Sequence, residues 1–309
     1  MSVVIIEGCD GSGKSTLAQE FVRRGYKYLH HSHTDLADPS VDAFEFYTRQ
    51  LLVARGQRVV FDRFYPSELV YGPVMRGASR ITLEQMHLLN RLLYALGGAV
   101  IFCEVPFDLA LSHWQSRRGA EYVSEGDQLR QIHDAYRRLR SFEFACGNAF
   151  TYDYTRLTTT WPSMRGDLRQ YLEFLENHNQ CLDLGVIGNH HMGKFLFVGE
   201  QSDQEWDLAF YGDAKSAGFL TSCLYEAGYR EPEMAFTNAL THDGETRDVR
   251  TIYAVRPKVV VALGKTAART CFDQGVPHLE APHPQYIKRF KLAERDQYVN
   301  LLRRFRNAA

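Results

Sequence analysis

The sequence predicts an α/β protein with two successive units. The first is a parallel sheet that helices cover, and the second is a smaller α/β unit. Short apolar runs alternate with helix-length amphipathic segments in both halves of the chain. The polar stretch Asn177–Met192, which holds glycines and histidines, interrupts this alternation. A length of 309 residues also fits about two domains. We therefore expect a first domain at 1–178, a linker at 179–192 and a smaller second domain at 193–309.

Each strand predicted in the first half is an apolar run bounded by glycine, charged or turn residues. Val3–Ile6 is β-branched throughout and is the first strand. The other predicted strands are Tyr26–His30, Val59–Phe61, Ala99–Phe102 and Phe150–Tyr154. Predicted helices lie between and after them: Ser15–Arg24, Val41–Ala54, Leu83–Leu96, Phe107–Arg118, Gln128–Phe142 and Leu168–Glu176. Strands that alternate with helices in this way indicate a parallel sheet.

The same alternation restarts after the predicted linker. The strands expected there are Phe195–Val198, Met234–Thr237 and the fully apolar Val259–Leu263. Ala217–Ala227 is the expected helix between the first two, and Leu292–Arg306 is a charged terminal helix. These elements predict a second, smaller α/β domain.

Composition excludes several classes of protein. The chain is 45% hydrophobic with a formal charge of −1, which is unlike a disordered chain or a globally basic nucleic-acid coat. No apolar run approaches the ~20 residues that a membrane span needs, and we expect no membrane partner. The N-terminus has no secretory pattern, so we expect a cytoplasmic location. The six cysteines include no CxxC pair, which favours free thiols over a metal site.

The segment after the first predicted strand carries the clearest functional motif. Residues 8–15 fit GxxxxGK[ST] at every defined position, between a strand and a helix as the motif requires. The nucleotide-binding residues predicted here are Gly8, Cys9, Asp10, Gly11, Ser12, Gly13, Lys14, Ser15 and Thr16. Lys14 should reach the β- and γ-phosphates of ATP, and Ser15 should ligate Mg²⁺. The alternative is a chance glycine-rich turn.

The run from Glu7 to Thr16 resembles the thymidylate-kinase family, including the aspartate inside the loop. Asp62-Arg63-Phe64, which follows the strand Val59–Phe61, is similar to the Asp-Arg-aromatic motif of that family. The resemblance implies a P-loop kinase in which Asp62 holds Mg²⁺ through water or meets the acceptor. It also implies that Arg63 braces the transferring phosphate, where charge accumulates. Asp10 and Asp62 both remain candidates for acceptor activation or Mg²⁺ ligation, and a surface ion pair is the alternative for Asp62-Arg63.

Two further groups of residues extend this prediction. Ser67, Glu68 and Tyr71 could line the acceptor pocket, or could simply be the packed start of a helix. Arg117 and Arg118 end a predicted helix and resemble the arginine-bearing lid of nucleotide kinases. A lid closes over phosphates and excludes water. The alternative is a solvated helix C-terminus, where the helix dipole favours arginine.

The second half contains five motifs in order: a strand ending in Gly199-Glu200, Ala209-Phe210-Tyr211-Gly212, Thr237-Asn238, Arg256–Gly264 and Pro282-His283-Pro284-Gln285. With these motifs, the second half resembles the uracil-DNA-glycosylase superfamily. The resemblance implies a base-binding site in which an aromatic residue stacks on a flipped base and Asn238 reads its edge. The predicted base- or DNA-binding residues are Glu200, Phe210, Tyr211, Asn238 and His283. We expect this domain to bind the base without cleaving its glycosidic bond. An active glycosylase is the alternative, because Glu200 could activate water.

The end of the chain is locally basic. From Gln285 onwards there are seven lysines and arginines against two acidic residues, with aromatic residues between them. Such a stretch is typical of a surface that contacts phosphates, and a solvated terminal helix is the alternative.

Together, the two halves resemble the bacteriophage DNA kinases of thymine hypermodification. That resemblance implies ATP- and Mg²⁺-dependent phosphorylation of the hydroxymethyl group of 5-hydroxymethyluracil in DNA. The predicted partner is therefore DNA that carries this base, and the oligomeric state is left open. A deoxynucleoside monophosphate kinase, and an active DNA glycosylase with a nucleotide-binding regulatory domain, are the alternatives.

Overall fold

The computed structural model of the chain divides into two compact units. The first comprises Met1–Leu89 and Leu96–Asn179, and the second comprises Asn90–Ala95 and Gln180–Ala309. The residues that the structure describes are 3–31, 36, 38, 40–117, 122–144, 149–156, 185–188, 194–201, 208–211, 216–253 and 257–308. Arg118, the predicted helix Leu168–Glu176 and most of the predicted linker lie outside these residues.

The first unit is built on a five-stranded parallel sheet. In chain order its strands are β1 (Val3–Glu7), β2 (Lys27–His30), β3 (Val59–Asp62), β4 (Ala99–Cys103) and β5 (Ala149–Tyr152). Their order across the sheet is β2-β3-β1-β4-β5, and every neighbouring pair is parallel. All residues of β1, β3 and β4 are buried, as expected for central strands that are covered on both faces. Because β1 and β3 are neighbours, Gly8 and Asp62 lie at the same carboxyl edge of the sheet.

The helices of this half of the chain are α1 (Lys14–Val22), α2 (Ala43–Val53), α3 (Tyr65–Arg76), α4 (Leu83–Ala95), α5 (Phe107–Ser116) and α6 (Gly126–Glu143). All five predicted strands are confirmed, and so are the five predicted helices in the described region, with ends that move by one to two residues. The last turn of α4, Asn90–Ala95, belongs to the second unit.

The start of helix α3 was one of the two alternatives left open for Ser67, Glu68 and Tyr71, but the bounds of the helix were not predicted from the sequence. Two prolines and a glycine inside Tyr65–Arg76 obscure its helical pattern. Pro66 lies in the first turn, where the missing N–H would have no partner in any case. The helix stops at Gly77, whose φ of 80° is the left-handed conformation typical of helix ends.

The second unit has a smaller mixed sheet. Its strands are β6 (Ile187–Gly188), β7 (Phe195–Gly199), β8 (Met234–Asn238), β9 (Val259–Leu263) and β10 (Leu279–Ala281), in the order β10-β9-β7-β8-β6. Only β6 is antiparallel among these described strands, and it pairs with β8. It lies inside the segment that the sequence analysis had assigned to the linker. Two residues are too few to show a strand pattern.

The helices described in the rest of this unit are α7 (Ala217–Glu226), α8 (Val249–Tyr253), α9 (Lys265–Asp273), α10 (Pro284–Phe290) and α11 (Arg295–Asn307). The predictions for β7, β8, β9, α7 and the terminal helix are confirmed, whereas α8, α9 and α10 were missed. The predicted fold class is thus confirmed: an α/β chain whose first sheet is parallel and whose second sheet is smaller. Among the described helices, none is both long and apolar enough to cross a bilayer.

Candidate functional site

The glycine-rich loop lies between β1 and α1, at the carboxyl edge of the first sheet. Gly8, Gly11 and Gly13 have φ values of 148°, 78° and 88°, which side-chain-bearing residues rarely adopt. Gly11 is also constrained by packing. A β carbon there would lie 2.3 Å from the carbonyl oxygen of Ala110 in α5. The loop therefore depends on glycine for its backbone conformation and for its close approach to α5.

The polar groups of this loop are arranged for an anion. Lys14 is buried, and its Nζ donates a hydrogen bond to the carbonyl oxygen of Cys9 at 2.6 Å. Ser12 Oγ is buried and has no hydrogen-bond partner among the described residues. Lys14 and Ser15 form the first turn of α1, whose N-terminus adds positive potential. These groups fit the phosphates of a nucleotide.

Asp62, the last residue of β3, faces this loop. Its Oδ2 accepts hydrogen bonds from Ser15 Oγ at 2.7 Å and from the Tyr28 hydroxyl at 2.9 Å. Its Oδ1 is buried and has no partner among the described residues. A hydroxyl oxygen next to a carboxylate with one available oxygen is a donor set that suits Mg²⁺. Ser15 and Asp62, which the sequence analysis named for Mg²⁺, thus lie within one hydrogen bond of each other.

The side chain of Arg63 contacts Asp10, the aspartate of the glycine-rich loop. Its guanidinium forms an ion pair with Asp10 and donates to the Tyr71 hydroxyl at 3.0 Å. The Tyr71 hydroxyl in turn donates to the other oxygen of Asp10 at 3.3 Å. Burial opposes ionisation of Asp10, but the charges of Arg63 and Lys14 outweigh it and hold the pKa of this carboxyl below its ordinary value. Asp10 is therefore a carboxylate whose two oxygens are both engaged.

Glu7 is a member of this site that the sequence analysis did not assign. It is fully buried, and burial raises its pKa from an ordinary 4.5 to about 7. Its Oε1 accepts from the backbone N–H of Phe64 at 2.8 Å, and its Oε2 accepts from Ser67 Oγ at 2.7 Å and the Tyr136 hydroxyl at 2.8 Å. Through the hydrogen bond from Phe64, Glu7 links the turn after Asp62 to the start of the glycine-rich loop. Its position immediately before Gly8, the first residue of the motif, was the sequence signal that could have identified it as a site residue.

The loop, Asp62 and Arg63 border a cavity of about 300 Å³. The same cavity is lined by a set of mostly aromatic and charged residues, which we call its aromatic, charged wall: His31, Tyr47, Phe64, Ser67, Glu68, Tyr71, Arg76 and Tyr122. The predicted acceptor residues Ser67, Glu68 and Tyr71 therefore line the same cavity as the loop. Glu68 is buried and pairs with Arg76, so this wall offers both a carboxylate and a guanidinium.

A second cavity, of about 320 Å³, also borders the loop. It is lined by Gly11, Gly13, Thr16, His113, Ser116, Arg117, Tyr152 and Tyr154. The His113 and Tyr154 rings are nearly parallel at 16°, with centroids 6.3 Å apart, and the Tyr154 hydroxyl lies 3.1 Å from His113 Nδ1. Arg117 lines both cavities. The sequence analysis missed His113 and Tyr154 because no motif marks them.

The second unit gathers four of its five predicted site residues around the carboxyl ends of β7 and β8. Asn238 is 3% exposed, and its Nδ2 has no partner in the part of the chain that the structure describes. A β carbon on Gly199 would lie 2.5 Å from Asn238 Oδ1 and 2.6 Å from the Phe210 ring. The Phe210 and His283 rings have centroids 6.2 Å apart. Phe210 also has a φ of 50°, which is unusual for a bulky residue.

Glu200 and His283 complete this cluster. A β carbon on Gly264 would lie 2.5 Å from Glu200 Oε1 and 3.1 Å from the His283 Cβ, so the two residues meet across that glycine. Glu200 Oε1 accepts from the backbone N–H of Thr266, in the first turn of α9, at 3.2 Å. Burial lowers the pKa of His283, although the charge of Glu200 acts in the opposite direction. The fifth residue, Tyr211, has a buried side chain.

The parallel sheet, the glycine loop between β1 and α1, and the carboxylate and arginine at the end of β3 define the first unit as an α/β fold with a P-loop. No protein-family model matches the chain, and no curated protein matches it.

Among solved structures, the chain is similar to the YorR protein of Bacillus subtilis in complex with phosphorylated GDP, at 25% identity and a TM-score of 0.46. That match covers 57% of this chain and 98% of YorR. Two other similar structures are deoxyadenosine kinase from M. mycoides with bound dCTP and a gluconokinase from Sinorhizobium meliloti. The match to deoxyadenosine kinase has 17% identity and a TM-score of 0.34, and it covers 57% of this chain and 97% of the kinase chain. The gluconokinase has 15% identity and a TM-score of 0.36, and covers 59% of this chain and 95% of its own. With TM-scores below 0.5, we base the functional proposal on the site itself.

Proposed function

We propose that the protein is an ATP-dependent phosphotransferase whose acceptor is a hydroxyl group. One observation carries the proposal. The cavity beside the P-loop is bordered by Asp62 and Arg63 and continues to an aromatic, charged wall. A nucleotide-binding protein that only hydrolyses or senses ATP has no need of such a wall next to the γ-phosphate. A kinase uses it to hold the acceptor and to exclude water.

The residues have separate roles in this reaction. Lys14 and the loop N–H groups hold the β- and γ-phosphates, and Arg63 offsets charge on the transferring group. Magnesium bound by Ser15 would neutralise phosphate charge. Arg117, which lines both cavities, is placed to contact phosphates, with Arg118 as its predicted companion. The second cavity, with the His113 and Tyr154 rings, is where we place the base of ATP.

The transfer step itself needs little from the protein beyond positioning. The acceptor oxygen forms a bond to the γ-phosphorus, and the bond to the β–γ bridging oxygen breaks with its electron pair staying on ADP. The acceptor's proton leaves to a carboxylate. Asp62 Oδ1 suits that role better than Asp10, because Asp62 Oδ1 has no partner among the described residues whereas both oxygens of Asp10 are engaged.

The acceptor that we propose is the hydroxymethyl group of 5-hydroxymethyluracil within DNA. The aromatic wall suits a planar base, and the Glu68–Arg76 pair offers groups that can hydrogen-bond to its edge. The second unit supports DNA as the carrier. Its cluster combines an aromatic ring, a histidine and the buried amide of Asn238, whose Nδ2 has no partner among the described residues; these are groups that recognise an extruded base.

A deoxynucleoside monophosphate kinase is the second candidate. One observation favours it: all the described residues that line the cavity at the loop belong to the first unit. A free nucleotide would need no more than that cavity. A glycosylase has weaker support, because Glu200 Oε1 is held by the backbone of α9.

The acceptor assay separates these functions. The full chain is incubated with γ-labelled ATP and Mg²⁺, and with four acceptors: a duplex with 5-hydroxymethyluracil, the same duplex with thymine, dTMP, and 5-hydroxymethyl-dUMP. We expect label on the hydroxymethylated duplex alone, and none with Lys14→Ala. Label on dTMP but not on DNA would replace the proposal by the monophosphate kinase, and release of free base would replace it by the glycosylase.

A further inference from the structure

Helix α10 of the second unit exposes an aromatic pair. Tyr286 is 48% exposed and Phe290 is 71% exposed, and their ring centroids lie 5.8 Å apart. The buried side of the same helix, which includes Pro284 and Ile287, packs on the rest of the unit. Large apolar side chains that lie together on a surface mark a contact site for another molecule. We call Tyr286, Phe290 and the basic residues beside them the α10 face.

The charge of this face indicates the kind of partner. Lys288, Arg289 and Lys291 are all exposed, and the sequence from Ala281 to Ala293 contains no acidic residue. The first acidic residue beyond it, Glu294, pairs with Lys291 at 2.7 Å. Exposed aromatic rings among basic side chains are the combination that binds nucleic-acid strands. The bases stack on the rings, and the cations contact the phosphates.

The terminal helix α11, the other basic segment of this region, is less suited to that role. Arg303 donates to Asn300 and to the carbonyl oxygen of Glu226, and Arg306 pairs with Glu233. Tyr298, one of its aromatic residues, is buried. The sequence alone did not distinguish α10 from α11, and the structure favours α10.

We propose that the α10 face binds single-stranded DNA, with Tyr286 and Phe290 stacking on unpaired bases. The proposal rests on the proposed function for the choice of DNA as the nucleic acid. The position of the face supports it, because His283 is the N-cap of α10 and also belongs to the cluster with Phe210 and Glu200. A strand that lies along α10 therefore passes next to the residues proposed to hold a base.

The test measures binding of the full chain to fluorescein-labelled (dT)16 by anisotropy. The double variant Tyr286→Ala/Phe290→Ala should bind on the order of tenfold more weakly or worse, since each stacked base contributes substantially to affinity. Phe272→Ala is the matched control. Phe272 is 76% exposed in the same unit, but its helix α9 carries the exposed ion pair Arg269–Asp273.

A second pair of variants tests the charge. Lys288→Gln/Arg289→Gln should weaken binding and reduce the slope of log affinity against log salt by roughly one to two. Arg269→Gln, whose side chain is paired with Asp273, should leave the slope unchanged. Circular dichroism melts of all variants test whether each one retains the fold.

The outcomes separate this inference from the proposed function. Unchanged (dT)16 binding by both double variants overturns the inference, even if the wild type phosphorylates hydroxymethylated DNA. Tighter binding of rU16 than of (dT)16, or a dimer that Phe290→Ala dissociates in light scattering, also overturns it. A third outcome is that the aromatic variant loses (dT)16 binding while the wild type phosphorylates only dTMP. That outcome supports binding of single-stranded DNA by the α10 face and refutes the proposed acceptor.

Discussion

Arg63 is in the left-handed region with a φ of 64°, which is uncommon for a residue with a long side chain. Two hydrogen bonds hold it there. Its own N–H donates to the carbonyl oxygen of Ile6 at 3.0 Å, and the next N–H, that of Phe64, donates to Glu7 at 2.8 Å. Backbone strain of this kind persists where the surrounding structure fixes it, and it often occurs at functional sites. Here it directs the guanidinium towards Asp10.

The first prediction concerns Arg63. Arg63→Lys keeps a positive charge but loses the planar fork that engages Asp10 and Tyr71 together. We expect kcat to fall by roughly a hundredfold or more, with a smaller change in the KM for ATP, because Arg63 is proposed to act on charge in the transition state. Steady-state kinetics measure both constants. Arg49→Lys, exposed and paired with Glu45, is the control, and a loss confined to KM would place Arg63 in ground-state nucleotide binding.

The second prediction concerns Glu7 and pH. Its pKa is about 7 in the folded protein against an ordinary 4.5, so between these values the folded state holds a proton that the unfolded state has lost. Stability should therefore decrease as pH rises from 4.5 to 7, by up to about 3 kcal/mol. Urea unfolding of wild type and Glu7→Gln at pH 5 and pH 8 measures this, and the decrease should be smaller in the variant. Glu45→Gln, at a half-buried position where the carboxylate pairs with Arg49, should behave as wild type. Parallel pH dependences for all three proteins would refute the role of Glu7.

At the scale of elements, the order of strands and helices could be predicted from the sequence, but several side-chain arrangements could not. The strand-loop-helix arrangement around Gly8–Ser15 is a local pattern, so the motif and its context were both readable. The extent of helix α3 was not predicted because its prolines and glycine contradict local propensity, while tertiary packing stabilises it. The meeting of His113 with Tyr154 depends on contacts between α5 and the segment after β5, which are distant in sequence.

The third prediction tests how the loop packs on helix α5. Gly11→Ala places a β carbon 2.3 Å from the Ala110 carbonyl oxygen, so the loop or the helix must shift. ATP binding should weaken by on the order of tenfold or more, because the loop N–H groups lose their arrangement around the phosphates. Gly56→Ala is the matched control. It has a similar φ of 72°, but its β carbon meets no atom within 4 Å. Calorimetry with a non-hydrolysable ATP analogue gives both affinities, and equal affinities would show that the close approach to α5 is unimportant.

At the scale of the whole molecule, the two units do not follow the simple division at a linker that the sequence predicted. Asn90–Ala95 at the end of α4 belongs to the second unit. Arg91 in this stretch is fully buried and makes a two-pronged ion pair with Glu231. Deleting the second half would leave this guanidinium without its partner, which is strongly destabilising for a buried charge. Hydrophobic periodicity shows that two units exist, but it cannot show that a helix of the first half contributes residues to the second.

Because truncation would disturb Arg91, a point substitution tests better whether the second unit serves the same reaction as the first. Asn238→Ala removes a buried amide whose Nδ2 has no partner among the described residues, so no described hydrogen bond of that nitrogen is lost. If Asn238 reads the edge of an extruded base, kcat/KM on hydroxymethylated duplex should fall by roughly 5- to 150-fold, which corresponds to the loss of about 1–3 kcal/mol. ATP affinity should be unchanged, since the P-loop lies in the first unit. The decrease should be smaller on a single-stranded acceptor, which needs no extrusion from a stack.

Asn300→Ala, at an exposed position in α11, is the control. Equal activity of Asn238→Ala and wild type on duplex DNA would separate the second unit from the chemistry of the first, and a monophosphate kinase with an independent second unit would then be the better account.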